Sequence, residues 1–278
     1  MCDGGFTPGV GRSLRAITPF DINDLECEAL MNLFQEAASH IQDIRIEIVT
    51  NRRNHCDPEE HPATALGIAV QRPTIQFSQR LDRKQRIDAI AHELLHILLV
   101  YRYGLKMVDR KIPWQGSNQE IFDYYFGLNK YWNYFLEQMV NTVHHRILID
   151  YLKEEYGISS DFHLALFRHN FHIVAKRYYP DKESQYAKGL VAYEYEGTVG
   201  EIGRAVNFRH QSEFFWKAYC SAKKFFEICS FKKIPEASRY EEALLSFLED
   251  LGYRRQNFAF FPETASDTSS AQSLRISN

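Results

Sequence analysis

Residues 91–96 read Ala-His-Glu-Leu-Leu-His and lie inside an apolar run from residue 86 to residue 100. They contain the pattern His-Glu-x-x-His, in which His92 and His96 project from the same side of a helix, one turn apart. Two imidazoles at this spacing can supply adjacent corners of a tetrahedral zinc site, with room for a third protein ligand and a water molecule. Glu93 can take a proton from that water as a general base. The motif therefore predicts a catalytic zinc site.

The sequence around the motif predicts an amphipathic helix from about residue 82 to residue 103. At about 100° per residue, one arc of this helix carries only apolar side chains, namely Ile87, Ile90, Ala91, Leu94, Leu95, Ile97 and Leu98. His92, Glu93 and His96 point to the other side. Burying these three polar groups without partners would be costly, and a bound metal ion would satisfy them.

The motif helix resembles the active-site helix of the zincin metallopeptidases. The order of elements over roughly residues 40–152 is also similar to that of a zincin core, in which strands precede the motif helix and an edge strand lies beside the cleft. The resemblance implies a Zn2+-dependent peptidase that acts on peptide or protein substrates. In such an enzyme, Glu93 activates the zinc-bound water for attack on a peptide carbonyl and passes the proton to the leaving amine.

The third zinc ligand is predicted on a long helix from about residue 130 to residue 156, where one polar stripe contains Glu137, Asn141 and His144. The gluzincin branch of the zincins uses a glutamate on the helix after the motif helix, so the resemblance favours Glu137. Asn141, one turn on, is expected to orient a ligand. His144 lies about 10 Å from Glu137 along the helix axis, so both cannot bind one ion. We assign His144 a hydrogen bond to the substrate or the oxyanion.

The choice of the third ligand stays open on two grounds. Glu120 is closer in sequence to the motif and competes with Glu137, as does His144 itself. His145 lies further round the helix and is the weaker candidate. The sequence also departs from known zincin branches. No Gly-x-x-His follows the motif as in metzincins, and the gluzincin pattern Asn-Glu-x-x-x-Asp is missing around Glu137.

The composition is that of an ordinary globular protein, with 45% hydrophobic and 25% charged residues among 278. The net charge of −3 gives no indication of binding to nucleic acid or to an anionic membrane. No apolar run reaches the roughly 18–20 residues of a membrane span, and residues 1–8 lack the features of a secretory signal. The five scattered cysteines are interpreted as free thiols in a reducing compartment. We therefore expect a cytoplasmic protein, whose oligomeric state stays open.

The pattern along the chain predicts an α+β, mainly helical fold. We expect a flexible arm at 1–19, a zincin-like core with a small sheet and the active-site helix at 20–157, a helical part at 158–262 and a disordered tail at 263–278. Strands are predicted at 44–49, 67–70 and 74–77, and 51–63 and 104–117 are interpreted as loops. Beyond the motif helix, helices are predicted at 21–40, 121–127, 130–156, 161–179, 182–195, 212–229 and 235–251.

A second hypothesis is a zincin-fold binding or sensing module, which holds a protein partner with its aromatic C-terminal helices and has little or no peptidase activity. The presence of Glu93 favours catalysis, because a structural zinc site needs no base and usually closes with a fourth ligand, often cysteine. Three further histidines on the next helix, His163, His169 and His172, are interpreted as surface or core residues rather than as a second metal site.

Overall fold

The computed structural model of the chain describes residues 16–41, 43–50, 63–66, 73–109, 120, 130–176, 181–199, 211–229 and 234–261. These residues form a mainly helical protein with little sheet, as the sequence predicts. The helices are α1 (Glu28–His40), α2 (Arg83–Tyr101), α3 (Lys130–Tyr156), α4 (Asp161–Lys176), α5 (Lys182–Val199), α6 (Glu213–Cys229) and α7 (Ala237–Asp250). The strands are β1 (Ala16–Pro19), β2 (Arg45–Thr50), β3 (Ala63–Leu66), β4 (Thr74–Ser78), β5 (Lys106–Asp109) and β6 (Phe258–Phe261).

A four-stranded sheet precedes the motif helix in the chain. Its strand order is β1-β2-β4-β3, with β2 and β4 parallel and both outer strands antiparallel to their neighbours. Alternate side chains of β4, Ile75 and Phe77, are fully buried, as expected of a strand with one face on the core. The strands predicted at 44–49 and 74–77 are confirmed. Strand β1 lies in the predicted arm, and β3 begins at the last residue of the predicted loop and continues through residues that were assigned to no element.

The motif helix α2 lies at the centre of the fold and packs against α1, α3, α4 and the strands β3 and β4. It begins with a capping box, because Asp82 Oδ1 accepts from Gln85 N at 2.8 Å and Gln85 Oε1 accepts from Asp82 N at 3.0 Å. Its second half is buried on every side except at Glu93 and Tyr101. Each fully buried leucine or isoleucine there contributes about 1.5–3 kcal/mol, so α2 is firmly fixed.

Helix α3 packs against α2, α5 and β5. It ends at Tyr156, and the next residue, Gly157, has a φ of 65°, in the left-handed region that glycine adopts easily after a helix. One hydrophobic core joins α1 through α7, with members as distant as Leu30, Leu148 and Leu248. Helices α2 and α3 therefore meet deep inside the protein.

Strands β5 and β6 form a separate antiparallel pair, with Met107 opposite Phe260. The loop predicted at 104–117 was wrong for residues 106–109, and no strand was predicted at 258–261. The two strands are distant in sequence, so no hairpin turn joins them and the usual sequence signal of a strand pair is missing. The Trp132 indole N–H donates to Asp109 Oδ2 at 2.6 Å and ties β5 to α3.

Several sequence predictions lie outside the described residues. They are the strand at 67–70, the short helix at 121–127, the tail at 263–278 and the first fifteen residues of the arm. Residues 16–19 of the predicted arm are part of the sheet as β1. None of the helices in the described ranges combines the length and the apolar character that crossing a membrane requires.

Candidate metal centre

The two motif histidines face each other inside the protein, as their spacing predicts. His92 and His96 are 5% and 9% exposed, and their Nε2 atoms are 3.1 Å apart. Burial, followed by the neighbouring histidines, lowers the pKa of both side chains well below the ordinary value. Both rings are therefore neutral near pH 7, which is the form that binds a metal ion.

His144 of α3 lies behind His96 and fixes its tautomer. The Nε2 atom of His144 is 2.5 Å from the carbonyl oxygen of Leu105, and a carbonyl can only accept, so Nε2 carries the proton. Burial lowers the pKa of His144 to about 3, so its Nδ1 has a free lone pair. That lone pair accepts from His96 Nδ1 at 2.9 Å. The lone pair of His96 therefore resides on Nε2 and points toward His92.

His145, the next residue of α3, is held by a buried carboxylate. Its Nδ1 donates to Glu194 Oε1 of α5, and the second oxygen of Glu194 accepts from Gln138 Nε2 at 3.1 Å. Glu194 is 1% exposed. A histidine that gives one N–H to a carboxylate has its other nitrogen free as a ligand, and metalloproteins use this arrangement widely.

Three ring nitrogens converge in the space between α2 and α3. One ligand atom each from His92, His96 and His145 lies within 4.8 Å of the other two, and all three residues are buried. Three imidazole ligands suit Zn2+ and also the other divalent transition metals. Two hydrogen bonds orient two of the three rings: His96 bonds His144, and His145 bonds Glu194. The donor set therefore fits the metal that the sequence predicts.

The structure places Glu137 outside this cluster. Its side chain is 54% exposed and lies 3.9 Å from Lys106 Nζ. The histidines of α3 that meet the motif stand two turns further along, about 12 Å up the axis from Glu137. The third nitrogen beside His92 and His96 belongs to His145, the candidate that the sequence interpretation ranked as weaker.

The structure also places the remaining predicted site residues. His144 is 1% exposed with both ring nitrogens engaged, so it orients His96 and is not positioned to bond a substrate. Glu120 is exposed. Asn141 is half-buried, and Glu194 makes with His145 the kind of contact that was expected of Asn141. Glu93 is half-buried and follows His92 on α2.

The sequence interpretation missed two members of the site, Glu194 and His163. Glu194 interrupts a run of otherwise apolar or aromatic residues at 190–195, and an isolated acid on such a buried face needs a partner. This pattern is the sequence signal by which Glu194 could have been found. Nothing in the local sequence distinguishes His163, which stacks on His92, from His169, which is exposed.

Asp88, one turn before His92, connects α2 to α4. Its Oδ2 accepts from Phe162 N at 2.9 Å, and burial raises the pKa of Asp88 to about 6. The folded protein thus binds a proton that the unfolded chain releases near pH 4, so this residue's contribution to stability falls as pH rises through about 4 to 6.

We predict that the free energy of unfolding of Asp88→Asn, measured relative to wild type by urea unfolding, rises by about 1.4 kcal/mol between pH 5 and pH 7.5. A constant difference would show that Asp88 stays ionised at both pH values.

The site is thus a buried cluster of histidines on α2 and α3, supported by a carboxylate from α5. Three of its nitrogens, two from α2 and one from α3, could hold one metal ion. No family model, curated protein or solved structure matches this chain.

Proposed function

We propose that the protein is a zinc-dependent metallopeptidase whose ion is held by His92, His96 and His145. The proposal is carried by one observation, the convergence of three buried imidazoles, two of them on the helix that also carries Glu93. The order of elements supports it as well. An antiparallel edge strand, β3, and the parallel strand β4 precede α2 and pack against it, as the resemblance to the zincins leads one to expect.

The roles of the chain's own residues follow from their positions. A divalent ion at this site supplies a Lewis acid, which polarises a carbonyl and acidifies water. Glu93 takes the proton of the attacking water and gives it to the leaving amine. His144 and Glu194 keep the ligand rings in the required tautomer and orientation. The glutamate ligand of the gluzincins is replaced by His145, which leaves the full charge of the ion to act on the substrate.

The substitution Glu93→Gln tests the proposal. We expect the variant to contain zinc at about one ion per chain, like wild type, because Glu93 is no ligand. We expect its hydrolysis of a peptide library to fall by 10²-fold or more, because general-base catalysis contributes about 10²–10⁴-fold. Metal content by mass spectrometry and new amino termini by peptide mapping give the two readouts.

Two results would contradict the mechanism or the site. Equal cleavage by wild type and Glu93→Gln would rule out Glu93 as the general base. Absence of zinc from wild type, prepared without chelators, would rule out the proposed metal centre. A matched control is Glu137→Gln, the same change at an exposed position on α3, which is expected to retain both zinc and cleavage.

A binding or sensing module is the second candidate function, and the burial of the site favours it. His92 is 5% exposed, and His163 lies face to face with its ring, which restricts the approach of a substrate. In that case wild type contains zinc and cleaves no member of the library. The same experiment therefore distinguishes the two candidates.

A further inference from the structure

His163 is the fifth histidine at the site and differs from the other four. It is the third residue of α4 and half-buried, whereas His92, His96, His144 and His145 are buried. Its ring stacks on that of His92, with 3.8 Å between centroids and 25° between planes. The ring of His145 is 4.8 Å away at 62°. His163 therefore covers His92 from the α4 side.

His92 lacks the kind of support that the other two ligands have. The second nitrogen of His96 bonds His144, and that of His145 bonds Glu194. The Nδ1 atom of His92 is buried and has no hydrogen-bond partner among the residues that the structure describes. The contact of His92 Nε2 with His96 Nε2 is on the side that would face an ion. On the outer side, no hydrogen bond at Nδ1 fixes the plane of this ring within the described part of the chain, although a metal ligand normally has one.

His163 is itself held in place through the helix that carries His92. The carboxylate of Asp88 on α2 accepts from the backbone N–H of Phe162, and the N–H of His163 also faces it. Asp88 lies one turn before His92. The first turn of α4 is therefore attached to α2, and His163 rests on the ring one turn further along the same helix.

The stacked geometry does not allow His163 to bind the ion that His92 binds. A ligand imidazole holds its ion in the plane of the ring, and two nearly parallel rings 3.8 Å apart have planes that do not meet at one point nearby. The nitrogens of His163 also lie outside the set of converging ligand atoms. This residue acts through His92 rather than on the ion.

We propose that His163 is a positioning residue, whose stacked ring fixes the plane of His92 for metal binding in place of a hydrogen bond. The inference rests on the metal site of the proposed function and not on peptidase activity. The proposed role requires a flat ring at position 163 but does not require a nitrogen in that ring. Phenylalanine should therefore replace this histidine, whereas leucine, of similar size but without a flat face, should not.

Titration of the metal-free protein with Co2+ tests the proposal, because the visible spectrum of Co2+ reports its ligand geometry. We expect His163→Leu to weaken Co2+ binding by about 10-fold or more, in line with outer partners of metal ligands, and to change the spectrum. His163→Phe should bind within about 3-fold of wild type with the wild-type spectrum. His169→Leu, the same change at an exposed position of α4, should match wild type.

Each other outcome overturns a specific statement. If His163→Phe is as weak as His163→Leu, the ring nitrogen matters and His163 is a ligand. If His163→Leu equals wild type, the stacking has no role. If wild type itself binds no Co2+, the proposed metal centre fails together with this inference. Thermal unfolding of the metal-free variants shows whether each one is folded.

Discussion

Replacing His145 by alanine is expected to reduce the affinity for zinc by about 10³-fold or more, because loss of a ligand costs more than the 10–100-fold loss of an outer partner. The structure brings His145 to the motif histidines and leaves Glu137 exposed beside Lys106. Glu137→Ala is therefore expected to bind zinc like wild type. A competition titration against a coloured chelator measures both affinities, and the pair decides which residue of α3 completes the site.

The alanine at position 145 also removes the partner of Glu194, a buried carboxylate, and so lowers stability. Glu194→Gln gives a milder test, because the amide oxygen can still accept from His145 Nδ1 while its charge is lost. We expect its zinc affinity to fall by about 10–100-fold. The opposite pattern, with Glu137→Ala losing zinc and His145→Ala retaining it, would restore the gluzincin-type ligand set.

The metal-free protein is expected to unfold on mild acidification. Burial lowers the pKa of His144 to about 3 and those of His92, His96 and His163 well below the ordinary value. Below about pH 6.5 the unfolded chain binds protons that the folded protein does not, so stability falls as pH falls. Each histidine contributes about 2 kcal/mol between pH 7.5 and pH 5, and the four together about 8 kcal/mol. That is comparable to the whole stability of a typical domain, about 5–15 kcal/mol.

Urea unfolding of chelator-treated protein across this pH range measures the effect. His144→Gln should lower the proton uptake on unfolding by about one, because one buried imidazole is removed. His169→Gln makes the same change at an exposed position of α4 and serves as the matched control. A stability that does not change between pH 7.5 and pH 5 would show that the four rings do not stay neutral in the folded protein.

The sequence predicted those parts of the fold that depend on local patterns. Helix α2 has both a capping box and an apolar arc, and α3 has a glycine stop, so their bounds were confirmed within one or two residues. The strands β5 and β6 were missed because each has four residues and pairs with a partner distant in the chain. Such pairing leaves no periodicity in either segment.

The residues of the site also divide into those that local sequence predicts and those that depend on contacts between distant segments. His92 and His96 are four residues apart on one helix, so their meeting follows from helix geometry alone. The third ligand depends on how far α3 is rotated and shifted relative to α2, which packing of distant side chains determines. On α3, Glu137 and His145 differ by about 80° around the helix and by about two turns along its axis. Glu194 and His163 come from still other helices, and only the assembled core brings them together.

The carbonyl of Leu105 orients His144, and β5 begins at the next residue. Within the described chain β5 pairs only with β6, which a ribosome produces after α3 to α7. A growing chain therefore contains both motif histidines before it contains the strand that pairs with β5. The order of synthesis thus places the last partner of the segment beside Leu105 after every helix of the fold.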